Sequence, residues 1–306
     1  MASVFCLDTN HRGHRSAIAA FLIPYSGGAV LVDTGPGSTR ANLVAALAAH
    51  GLKPEQVTHI LLTHIHLDHA GAAGWLARKG AQVYVHPLGA PHLLNPEKLL
   101  ASARRIYAER MDELWGEFLP IPPANLTEVQ DEAEISCGGL RFTALHTPGH
   151  AEHHVSYSLD ETCHRHCTTV FSGDVGGVRK PGPFYVSLPF VPPETDLGKW
   201  RHSLERIQAM GCERIALTHF GIYTDAAAHL AAALKDLDDV EQWLEKVMPG
   251  IADVAVLNEL YTPWLHARGK TQGLSEELLT SYDSASAASM GASALFRYWH
   301  KVRMAG

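Results

Sequence analysis

Two short apolar runs, Ile18 to Ile23 and Ala29 to Val32, flank the turn-forming stretch Pro24-Tyr25-Ser26-Gly27-Gly28. That pattern predicts two strands and a tight connection. Asp33-Thr34-Gly35-Pro36-Gly37 then reads as a loop. Thr39 to His50 carries Ala and Leu at helical spacing, and Gly51 is placed to stop the helix. Val57 to Thr63 is apolar and β-branched, as in a buried strand. Ala70 to Lys79 predicts a helix and Gln82 to Val85 another strand. Strands alternating with helices in this order make an α/β chain.

Pro87 to Pro123 breaks the rhythm. Leu99, Leu100, Ala103, Ile106, Tyr107, Met111, Leu114, Trp115 and Phe118 recur every three or four positions, predicting one long amphipathic helix that ends at Pro120-Ile121-Pro122-Pro123. An insertion of this kind, about 87–123, either packs on the core or serves as a lid that walls a pocket. Strands resume at Leu140 to Leu145, Val155 to Leu159 and Thr168 to Phe171. Thr195 is placed to cap a helix from Asp196 to Met210, and Ile215 to Leu217 is a further strand. From Asp225 onward the pattern is helical, with turns near Pro249-Gly250 and at Gly269. The expected division is an α/β unit over 1–224 and a helical cap or subdomain over 225–306.

Composition narrows the class. The 306 residues are 46% hydrophobic and 19% charged, as in an ordinary globular protein. A net charge of -7 disfavours general nucleic-acid binding. No apolar run approaches the roughly 20 residues of a membrane span. Met1 to Asp8 lacks the basic start and apolar block of a secretory signal, so the cytoplasm is the expected location. The five cysteines are scattered and do not form a disulfide framework. Histidine is the outlier, with 20 residues against 25 Lys and Arg together.

Much of that histidine is organised. His64-Ile65-His66-Leu67-Asp68-His69 places three imidazoles and a carboxylate within six positions at the end of an apolar run. Neutral imidazoles donate lone pairs to metals, and a carboxylate adds an anionic ligand. Three other predicted strands end in similar chemistry: His146-Thr147-Pro148-Gly149-His150, Ser172-Gly173-Asp174 and Thr218-His219-Phe220-Gly221. Open α/β sheets place their sites in such loops beyond strand ends.

Taken in order, these motifs and the upstream Asp33-Thr34-Gly35 resemble the metallo-β-lactamase fold superfamily from about Ile18 to Gly221. The resemblance implies a four-layer αββα sandwich, here with a helical insertion and a C-terminal helical extension. It implies that His64, His66 and His150 hold one metal, that Asp68, His69 and His219 hold a second, and that Asp174 bridges both. Asp33 would support a ligand from behind. Two divalent ions would share a water and lower its pKa towards neutrality. The hydroxide would attack a thioester, lactone or other ester carbonyl, with Asp68 orienting it and relaying a proton. Zinc is the expected metal; iron and manganese suit the same donors. Glyoxalase II-like thioester hydrolases and lactonases share the ligand set. A phosphodiesterase or nuclease, and an iron-dependent sulfur dioxygenase-like enzyme, are the alternatives.

Arg179 and Lys180 are similar to basic residues that hold an anionic substrate tail in glyoxalase II-like members, and Tyr185 and Tyr223 are candidate hydroxyl donors to substrate. The partner expected is a small-molecule substrate, with neither nucleic acid nor membrane; a homo-oligomer is left open. Cys163-His164-Arg165-His166-Cys167 reads as an exposed hairpin turn rather than a second metal knot. His153 and His154 are placed either behind a ligand or at the surface.

Overall fold

A computed structural model describes residues 2–161, 166–285 and 287–304. Its first sheet has six strands in chain order: β1 (Phe5–Asp8), β2 (Ala19–Tyr25), β3 (Gly28–Val32), β4 (Val57–Leu61), β5 (Gln82–Val85) and β6 (Leu126–Glu128). The first three are antiparallel; β3 to β6 are parallel, joined by helical crossovers. The second sheet contains β7 (Glu134–Cys137), β8 (Leu140–His146), β9 (Val155–Glu161), β10 (His166–Phe171), β11 (Arg214–Leu217) and β12 (Gly221–Tyr223). Within it only β10 and β11 run parallel. Of the segment Cys163 to Cys167, expected as an exposed hairpin turn, His166 and Cys167 already belong to β10 and the remainder lies outside the described residues.

Strand periodicity builds the layers. Successive side chains point to opposite faces. Ala19, Phe21 and Ile23 of β2 meet Phe142, Tyr157 and Phe171 of the second sheet, forming the core between the sheets. Ala20 and Leu22 turn the other way, onto Leu43 and Leu47 of the helix Arg40–Ala49 and onto Leu76. On the far face, Val170, Ile215 and Leu217 meet Trp200 and Leu204 of the helix Leu197–Ala209. The order is helix, sheet, sheet, helix. The C-terminal helices Ala226–Val247, Val254–Thr271, Glu276–Ala285 and Ala288–Tyr298 extend that last layer: Leu237, Leu257 and Leu295 share one core with β10 and β11. No described helix is long and apolar enough to cross a membrane.

Several expected elements differ. The helix at Ala70 to Lys79 is two short pieces, Leu67–Ala70 and Ala73–Ala77, because the amide of Ala72 bonds Gly35 O in the neighbouring loop. The insertion is not one helix. It runs Glu97–Tyr107, turns at Ala108 (φ 47) and continues as Met111–Trp115. The break lets the Tyr107 and Trp115 rings meet at 5.1 Å, whereas eight residues of continuous helix would separate them by about 12 Å along the axis. Asp196, not Thr195, caps the helix Leu197–Ala209, by accepting from Lys199 N; the Thr195 hydroxyl bonds Val191 instead. Gly269 does not end a helix. It lies inside Val254–Thr271, where a Cβ would meet Leu279 at 2.6 Å, so the residue serves close helix packing. Cys212 is disulfide-bonded, whereas Cys6 and Cys137 are free thiols.

Candidate metal centre

The loops after β3, β4, β8, β10 and β11 open on one edge of the sandwich and carry Asp33, the His64–His69 segment, His150, Asp174 and His219 respectively. A bond from Val155 N to Thr63 O ties the two sheets together at this edge. Gly149 lets the ligand loop press against the helix beneath: a Cβ there would fall 2.3 Å from Trp200 Cα, and its φ of +140° suits glycine.

All seven expected ligand residues converge. His66 Nδ1 lies 2.8 Å from His64 Nε2 and 3.0 Å from His150 Nε2. His69 Nε2 lies 3.5 Å from Asp68 Oδ2, and His219 Nε2 lies 3.4 Å from the same oxygen. Asp174 stands between the two groups. Its Oδ2 faces His150 Nε2 at 3.3 Å, and its Oδ1 faces His69 Nε2 at 3.1 Å and His219 Nε2 at 3.4 Å.

Proton bookkeeping shows what these atoms fit. His69 Nδ1 donates to Asp33 Oδ2 at 2.7 Å, His150 Nδ1 to Pro189 O at 2.9 Å, and His219 Nδ1 to Ala17 O at 2.8 Å. With Nδ1 donating outward, each ring turns its Nε2 inward, towards the other nitrogens and the carboxylate oxygens. Two of the buried inward atoms, His69 Nε2 and Asp174 Oδ1, have no hydrogen-bond partner. Buried lone pairs without a donor are costly. A cation within each cluster satisfies them all, and imidazole with carboxylate is the donor set that zinc, iron and manganese accept.

The electrostatics divide the same way. Burial pushes His64, His66 and His150 below the usual histidine range, and the neighbouring rings add to this for His64 and His66, so these imidazoles are neutral donors. Burial opposes a charge on His69 too, but Asp174, Asp68 and Asp33 outweigh it and raise its pKa well above the ordinary value. Burial also works to raise Asp68 and Asp174, yet the surrounding histidines hold both carboxyls below their usual range. The three carboxylates around His69 favour a proton on it, and a cation among them would take that proton's place. Metal uptake is expected to release protons, with affinity falling as pH falls, because the carboxylates around His69 favour its protonated form. Calorimetry in buffers of different ionisation enthalpy measures that release.

Asp33 is fully buried and accepts from four donors: His69 Nδ1, Thr63 N, Thr63 Oγ1 and Thr218 Oγ1. It fixes the His69 tautomer and the end of β4 together. His154 is buried behind the His64 ring, with its Nδ1 on Thr147 Oγ1. His153 is also buried and lies beside His66 and Glu194.

The expected substrate contacts are placed differently. A cavity of about 510 Å³ opens over His66, Asp68, His150, Asp174 and His219, and none of Arg179, Lys180, Tyr185 or Tyr223 lines it. Arg179 lies between the Phe184 and Tyr223 rings and pairs with Asp225; its amide bonds His219 O, so it braces a ligand loop. Lys180 is buried on Ser16 O. The Tyr223 hydroxyl donates to Arg179 O, and Tyr185 packs against Tyr282. Leu99, Ala103, Ile106 and Trp115 from the insertion, Pro189 and Val191 to Glu194, and Met290 line the cavity instead. So do His11, Arg12 and His14, which the sequence reading overlooked although His11-Arg12-Gly13-His14-Arg15 is dense in imidazole and basic side chains.

The model of the metallo-beta-lactamase superfamily matches residues 15–219. The chain belongs to that superfamily. It is 27% identical over 172 residues to "Metallo-beta-lactamase fold-containing protein ST1585" of Sulfurisphaera tokodaii, covering 55% of this chain and 62% of that protein. It is 29% identical over 184 residues to an "Atrochrysone carboxyl ACP thioesterase" of Aspergillus fumigatus, covering 60% and 44%. The match thus spans about half the length of these curated relatives. Among solved structures, the metallo-beta-lactamase family protein TTHA1429 from Thermus thermophilus aligns with a TM-score of 0.64 over 97% of this chain and 93% of that one, at 23% identity. The C-terminal helices are therefore part of a shared fold. ST1585 aligns with a TM-score of 0.63 over 77% and 86%, at 24% identity.

Proposed function

We propose that this chain is a dinuclear metal-dependent hydrolase of a small thioester, or a related ester or lactone, with an apolar acyl group. The observation that carries the reading is Asp174, whose two oxygens face two separate histidine clusters beneath a cavity with an apolar wall. His64, His66 and His150 would hold one divalent ion and Asp68, His69 and His219 the other, with Asp174 shared. Such ions, zinc first, would supply Lewis-acid polarisation of the scissile carbonyl and an acidified water.

The protein's own groups account for the remainder. Asp68 is the most exposed carboxylate of the centre, its side chain 20% accessible against 6% for Asp174. It takes the proton of the attacking water and returns it to the departing thiolate or alkoxide as the carbonyl–heteroatom bond breaks. Leu99, Ala103, Ile106 and Met290 hold the acyl chain and exclude bulk water from the reacting carbon. The thioesterase relative supports a thioester within this class.

A panel of acyl thioesters, lactones, phosphodiesters and β-lactams tests the assignment. The expected result is hydrolysis of thioesters, with kcat/KM rising by about tenfold or more from acetyl to hexanoyl as added methylenes are buried. Turnover of phosphodiesters alone would overturn it.

A further inference from the structure

Two buried charged side chains remain without a role in that chemistry. Asp236, on the helix Ala226–Val247, is 2% exposed, and its Oδ2 accepts from Leu188 N at 2.9 Å. The next residue, Pro189, supplies the carbonyl that orients His150. The other Asp236 oxygen pairs with Arg268 Nη1 at 2.6 Å, and Arg268 in turn holds Asp239 and lies over the Trp264 ring. Lys180 repeats the arrangement on the opposite side. It is also 2% exposed, and its Nζ donates to Ser16 O, one peptide before the Ala17 carbonyl that orients His219.

Neither charge lines the cavity. Packing alone does not explain them, since apolar side chains of similar volume fill such positions as well or better. What an apolar residue cannot do is fix a peptide plane by a directed hydrogen bond. Pro189 leaves the Leu188–Pro189 peptide without an N–H and fixes its own φ, so the stretch that carries the Pro189 carbonyl is anchored through Leu188 N on Asp236 and Phe190 N on Leu188 O at 3.2 Å. A carbonyl that receives an imidazole N–H sets both the tautomer and the direction of that ring.

We infer that Asp236 and Lys180 are positioning residues, each for one metal cluster: Asp236 acts through Leu188-Pro189 on His150, and Lys180 through Ser16-Ala17 on His219. The C-terminal helix Ala226–Val247 thereby supports the metal centre through the Leu188-Pro189 backbone. The inference rests on the ligand assignment proposed above.

Zinc titration of the full chain against a chromophoric chelator tests it. His66→Ala and Asp68→Ala identify which of two dissociation constants belongs to which cluster. Asp236→Ala is expected to weaken the His64/His66/His150 site by about 10–100-fold while moving the other by less than about threefold, and Lys180→Met to do the reverse. Asp236→Asn keeps an acceptor for Leu188 N and recovers most of the loss. Leu237→Ala, a buried neighbour on the same helix, destabilises the fold while the Asp236 carboxylate still accepts from Leu188 N, and leaves both constants in place. Equal weakening of both sites, or the same loss in Leu237→Ala, overturns the inference even though two metals bind. A parent chain that binds no zinc tightly overturns the dinuclear reading and this inference together.

Discussion

Asp68→Ala is expected to lower kcat on the preferred thioester by about 10²–10⁴-fold while one metal stays bound. Asp68 has two duties in the account. Its Oδ2 faces the inward nitrogens of His69 and His219, so its loss opens that cluster. It is also the more exposed of the two carboxylates that face the inward histidine nitrogens, so its loss removes the proton acceptor. His64, His66 and His150, 2.8 and 3.0 Å apart, are not altered by the substitution and would keep the ion assigned to them. Steady-state kinetics with elemental analysis reads both parts. Unchanged turnover, or loss of both ions together, contradicts the assignment.

The largest stability effect is expected at Asp33. Four donors meet on its two oxygens in a site with no solvent access. Asp33→Ala strips the acceptor from His69 Nδ1, Thr63 and Thr218 at once, and leaves the raised-pKa His69 without one of its three carboxylates. Breaking a buried charged pair typically costs about 3–5 kcal/mol. His69 also loses the partner that fixes its tautomer, so metal affinity falls with stability. Asp33→Asn retains one oxygen but aims an N–H₂ group at a donor, and should lie between the two. Chemical denaturation and zinc titration on the same samples measure these effects. A loss below about 1 kcal/mol would show that Asp33 is not the hub described.

Much of the centre was legible because its chemistry is concentrated. His64, His66, Asp68 and His69 sit in six consecutive positions, and His150, Asp174 and His219 each follow an apolar strand. The long strands β2, β3 and β8 were legible for the same reason: five or more residues of pattern outweigh local noise. Strands β6, β7 and β12, with three or four residues each, carry too little pattern to stand out. The insertion had helical periodicity throughout, but periodicity cannot locate the turn at Ala108 that tertiary packing imposes on Tyr107 and Trp115.

The substrate-facing residues were hardest to read. Arg179 and Lys180 follow Asp174 closely in sequence, yet aromatic stacking and a buried carbonyl hold them away from the cavity. The residues that reach it come from distant segments, His11 and Met290 among them. Sequence proximity to a ligand therefore predicted the support of the site better than its contents. Arg179 binds the His219 backbone, and Lys180 holds the peptide beside Ala17.

The central claim is that two metals in this centre drive hydrolysis of an apolar thioester. Its most direct test is the rate of hexanoyl thioester hydrolysis by zinc-loaded protein, before and after removal of the metal by a chelator and after zinc is restored. The account predicts about two zinc ions per chain, a fall of at least about 10³-fold on removal, and recovery on reloading. Equal turnover by loaded and stripped protein would contradict it.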